Sequence, residues 1–84
     1  MVADIAHARR LLAGGDVCVV SVTQMIAELA DQPDTLIVLD DDQQQTVAIA
    51  DLAKIGSRSW AAVTRTKIVL PVAEGYAIVE RCDP

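Results

Sequence analysis

Apolar residues recur along this chain at two spacings, one helical and one extended, and the alternation between them outlines the elements. Ile5, Ala8 and Leu12 fall at i, i+3 and i+7 with Arg9 and Arg10 to the other side, which predicts a helix capped by Asp4 and running to about Ala13. Gly14-Gly15 then stops it, as a left-handed C-terminal cap does. Val17-Cys18-Val19-Val20 is a short apolar run that suits a buried strand. Ser21 with Gln24 three residues on is a capping-box pattern. Val22, Met25, Ile26 and Leu29 follow as one helical stripe, closed by Pro33. The opposite face of this second helix carries Thr23, Gln24, Glu28 and Asp31.

From Thr35 onward the period shortens to that of strands. Leu36 to Leu39 and Thr46 to Ala50 are two apolar runs around a polar break, Asp40 to Gln45, and predict a first β-hairpin. Asp51 to Ile55 reads as a helical turn ending at Gly56. Ala61 to Val72 and Tyr76 to Cys82 predict a second hairpin joined by Ala73-Glu74-Gly75, with Gly75 at positive φ. Pro71 cannot donate to a ladder, so its strand should be an edge or bulged there. A continuous strand would place Thr64, Thr66, Ile68 and Leu70 on one face and Val63, Arg65, Lys67 and Val69 on the other. The expected core is Met25, Ile26, Leu29, Leu36, Val38, Val47, Ile49, Ile68, Leu70 and Ile78. The fold class is α+β in a single small domain, residues 1–84: a small antiparallel sheet of two hairpins plus a short strand, with two main helices packed on one face.

Composition sharpens this picture in one respect. Hydrophobic residues are 52% of the chain, Phe is absent, and Trp60 and Tyr76 are the only aromatics, so the core is built from Val, Ile, Leu and Ala. Charge changes it more. The net charge is −5, but residues 1–53 hold nine acids against Arg9 and Arg10, a net of −7, whereas residues 54–84 carry +2. No basic residue falls between Arg10 and Lys54. Such a field disfavours nucleic acid and anionic membrane and favours a basic protein partner.

Candidate chemistry adds little to that. The start of the chain lacks the apolar core of a signal peptide, and no run approaches a membrane span, so a cytoplasmic protein is expected. Cys18 and Cys82 stand far apart without a CxxC, so no zinc site is expected and Cys18 should pack as a small hydrophobe. His7 is the only histidine and has no neighbouring ligand in sequence. Asp40-Asp41-Asp42 lacks the alternate acids, the central Gly and the terminal Glu of a calcium loop. Gly14-Gly15-Asp16 follows a helix and lacks the GKS of a phosphate loop. Arg58, Arg65, Lys67 and Arg81 with Trp60 are too sparse for a stacking platform on nucleic acid.

The resulting expectation is a small, acidic, non-enzymatic protein-binding module without cofactor. Its contacts would be Glu28, Asp31, Asp34, Asp40, Asp41 and Asp42, docked on a basic partner. One form is an inhibitor or regulator, of the kind mobile elements encode, whose carboxylates occupy a surface that otherwise handles nucleic-acid phosphates. The alternatives are a structural homodimer formed through a strand edge, and a ligand-binding or enzyme subunit with a pocket between helices and sheet.

Overall fold

The computed structural model describes residues 2–15, 17–31, 35–39 and 43–81. It is α+β: helix α1 (Val2–Ala13), strand β1 (Cys18–Val20), helix α2 (Val22–Glu28), strands β2 (Leu36–Leu39) and β3 (Gln43–Thr46), a 3₁₀ helix (Ile49–Lys54), and strands β4 (Ala61–Val63), β5 (Lys67–Val72) and β6 (Gly75–Glu80). The six strands form one antiparallel sheet in the order β1-β6-β5-β4-β2-β3.

The helix signals act as their chemistry predicts. α1 begins two residues before the expected Asp4 cap. It ends where Gly14 and Gly15 donate back to the carbonyls of Arg10 and Leu12, both at 3.1 Å, with Gly15 at φ 78°. Ser21 sits in extended conformation and its Oγ accepts the Gln24 N–H at 3.2 Å, capping α2. α2 is shorter than its apolar stripe suggests, since Leu29 already serves as its C-cap; Pro33 lies outside the described residues.

The arrangement of layers differs from the expectation that both helices cover one face. Ile5 and Ala8 of α1 pack with Val38, Val63, Ile68, Leu70 and Val79. Met25 of α2 and its C-cap Leu29 pack with Ile37, Leu52, Trp60, Ala62 and Val69. Ile68 and Val69 are sequence neighbours on one strand, so these two clusters occupy opposite faces of the sheet. The cause is that both faces of the central strands are apolar: Ala61-Ala62-Val63 and Ile68-Val69-Leu70 are each buried without a break. A strand that is apolar on both sides needs cover on both sides.

Two strand boundaries are also corrected. The return strand of the first hairpin is Gln43–Thr46, not Thr46 to Ala50, with Leu36 paired to Thr46 and Leu39 to Gln43. β3 lies at the sheet edge with all four residues exposed, so its polarity costs nothing in burial. Val47 and Ile49 beyond it are half-buried against the α2-side core, and Leu52 of the 3₁₀ helix is fully buried there.

The expected long strand from Ala61 to Val72 is instead a tight hairpin of β4 and β5. The Thr64 backbone N–H donates to the Lys67 carbonyl at 2.9 Å and the Thr64 Oγ1 accepts the Lys67 N–H at 3.0 Å, closing a turn over Arg65-Thr66. Arg81 clamps this turn by donating through Nη1 to the Thr64 carbonyl at 3.0 Å. The fold-back pairs Val63 with Ile68, so Val63 joins the face of Ile68 and Leu70 rather than the opposite one. The β4 ladder accounts for Pro71 as well. It pairs Ala62 with Val69 and Val63 with Ile68, leaving Pro71 past its end, where only β6 flanks β5.

Of the expected core, Met25, Leu29, Val38, Ile68 and Leu70 are buried, and Leu36, Val47, Ile49 and Ile78 are half-buried. Ile26 is exposed, on the flank of α2 beside Val22, because the short helix turns only Met25 and Leu29 fully onto the sheet. Leu29 has no exposed surface, and a Leu29→Ala change is expected to cost about 2–5 kcal/mol in urea denaturation. A loss below about 0.5 kcal/mol would remove α2 from the core.

Candidate functional site

Topology sorts the predicted contact residues to two ends of the sheet. Leu36 pairs with Val63, and Lys67 with Glu80, so the beginning of β2, the β4–β5 turn and the end of β6 share one end. Leu39, Ala61, the β5–β6 turn and Val20 share the other.

At the first end, α2 delivers Glu28 and the following turn delivers Asp31, both exposed. They line an open cleft of about 470 Å³ with Ala27, Ala30, Thr66 and Lys67. Glu28 is not a bare carboxylate. Its Oε1 accepts from the Lys67 Nζ at 3.2 Å, with the two side chains 45% and 24% exposed. A pair this accessible to water contributes roughly 0–1 kcal/mol, but it sets local charge. Asp31 has a partner of its own. The Thr64 turn fixes where Lys67 begins β5 and so where its ammonium meets α2. This cleft therefore presents both signs of charge, unlike the purely acidic face expected for α2.

At the second end, Leu39 and Gln43 are cross-strand partners, so residues 40–42 are the whole connection between them. Asp40, Asp41 and Asp42, like Asp34, lie outside the described residues. The strand ends that hold the triplet are well anchored by four consecutive residue pairs. Glu28 and Asp31 are thus brought together, and the aspartate triplet attaches to the opposite end of β2.

The same second end contains another open cleft, also of about 470 Å³, which no sequence signal marks. Ser21, Ile55, Arg58, Pro71, Glu74 and Tyr76 line it, with Trp60 at its base. Trp60 is only 1% exposed and its ring lies 6.1 Å from that of Tyr76 at 40°. It is a core residue, which removes it from any stacking surface. The Arg58 guanidinium donates to the Val72 carbonyl, tying the 55–59 segment to the end of β5.

Arg65 is exposed on the β4–β5 turn, Arg81 donates to that turn and Lys67 follows it in a pair with Glu28, whereas Arg58 is tied to Val72 at the other end of the sheet. Cys18 is an exposed free thiol rather than a packed one, at the outer end of edge strand β1, whose one buried residue is Val20; Cys82 lies outside the described residues. Among the described residues no three of His, Cys, Asp and Glu converge to hold a metal ion, and no helix is long and apolar enough to cross a membrane. No protein-family model matches the chain, and no match to it was found among curated proteins or solved structures.

Proposed function

We propose that this chain is a non-enzymatic protein-binding module of the cytoplasm that docks acidic side chains onto a basic partner, as an inhibitor or regulator of a surface that otherwise handles nucleic acid. The observation that carries this reading is the first hairpin. Three carboxylates form the entire link between paired Leu39 and Gln43, on a hairpin seated at the sheet edge, within a half-chain of net charge −7. Aspartates so placed can take positions on a cationic surface that phosphates would otherwise fill. Glu28 and Asp31, with Asp34 between them and β2, would add contacts at the other end of the strand. Because Glu28 already holds Lys67, the triplet is the principal contact.

Replacing Asp40, Asp41 and Asp42 together by Asn is expected to leave the circular dichroism and melting temperature unchanged and to slow capture of the partner. Affinity capture from the native host with wild-type and triple-variant baits identifies proteins retained only by the former. Their association rates should then fall with salt, since the Debye length shortens from about 10 Å at 0.1 M to about 3 Å at 1 M. A partner that binds the triple variant at the wild-type rate, independently of salt, would reduce the triplet to a solvated turn.

A further inference from the structure

β3 ends the strand order on one side, and β2 is the one described strand that ladders with it. A sheet edge exposes a row of backbone donors and acceptors, and proteins ordinarily protect it with a charge, a proline or a bulge. Gln43-Gln44-Gln45-Thr46 has no charge and no proline, its ladder to β2 runs through four consecutive pairs without a bulge, and all four residues are exposed.

From this edge we infer that the protein self-associates through β3, two copies pairing antiparallel about a two-fold axis to continue one sheet across both molecules. The occupant follows from the strand's chemistry. An amide side chain is both donor and acceptor, so glutamine is complementary to glutamine. An axis through residue 44 sets Gln43 of each copy opposite Gln45 of the other, and a single residue type fills that register on both sides. Antiparallel pairing also places the Gln43 ends of the two strands, where the 40–42 connections attach, at opposite ends of the shared strand pair. Parallel pairing would set the two connections side by side. β1, the other edge, is only three residues long, bears the exposed Val19 and lacks this self-complementarity. Four paired residues make a small interface, so the dimer is a weak one.

The inference is independent of docking to a basic partner. Sedimentation equilibrium of the full chain, from about 10 μM to about 1 mM, is expected to show a monomer–dimer equilibrium in that range. The variant Gln43→Glu with Gln45→Glu sets like charges opposite each other across the axis. It is expected to weaken association at least about tenfold with the circular dichroism unchanged. Val19→Glu, on the other edge, should leave association as in the wild type. A chain that stays monomeric throughout, or one whose dimer survives the glutamate pair and is lost with Val19→Glu, would overturn the assignment.

Discussion

Trp60→Ala is expected to remove about 3–5 kcal/mol of folding free energy, measured by urea denaturation followed through circular dichroism. Trp60 is the largest of the fully buried side chains. It fills the α2-side core among Met25, Leu29, Leu52, Ala62 and Val69. Its neighbours limit any repair, because Ala62 is small and Val69 is held in the β4–β5 and β5–β6 ladders. The cavity would therefore persist, and cavity volume adds to the lost transfer energy. A domain of 84 residues has a total stability of only about 4–12 kcal/mol, so the variant should be partly unfolded near physiological temperature. Trp60→Phe keeps a ring beside Tyr76 and should lose clearly less. A cost below about 1 kcal/mol for the alanine variant would mean that Trp60 is not packed into the α2-side core.

The local elements were legible wherever side-chain spacing or a cap carries the information within a few residues. Ser21 and Gln24 announce α2, Gly14-Gly15 announces the end of α1, and Gly75 announces the last turn. Illegible were the features whose cause lies in the assembled sheet. The β4–β5 turn uses Thr64 side-chain bonds in place of Gly, Pro or Asn, so an apolar run appears unbroken through it. Strand β3 escaped notice because glutamines carry no hydrophobic pattern, and only its place at the edge makes them acceptable in a strand. The opposite-face packing did leave a trace, in the consecutive apolar triplets of β4 and β5, which alternation alone does not explain.

The candidate site was legible as charge but not as geometry. Nine acids against two bases in residues 1–53 are visible in the chain, yet their grouping depends on which strand end each element reaches. Glu28 and Lys67 are separated by 39 positions and meet only because α2 covers the face from which Lys67 projects. That contact turns an acidic helix face into a mixed one, and it shifts the emphasis of the docking proposal toward the hairpin.

Gly75→Ala should be nearly as damaging as the loss of Trp60, for a backbone reason rather than a cavity. Gly75 begins β6 directly after the Ala73-Glu74 turn, paired with Val72, at φ 151°. L-residues rarely adopt that conformation, and holding one there costs about 1–3 kcal/mol. Space makes the matter worse. A Cβ built on Gly75 would fall inside contact distance of the Val20 carbonyl oxygen and 3.3 Å from its carbon, both backbone atoms that no rotamer change can move aside. Relief requires β1 to shift away from β6, but Val20 is a buried core residue registered against Tyr76. The combined cost is expected to exceed about 3 kcal/mol, with β1 the first element to loosen. Amide hydrogen exchange should show this as lost protection at Val19 and Val20 while β4 and β5 keep theirs. Gly56→Ala is the internal control: among the described residues no atom lies within 4 Å of its Cβ position, and its φ is not in the positive range. That variant should melt within a few degrees of the wild type. Equal melting temperatures for the two alanine variants would show that β1 is not held against the start of β6 as described.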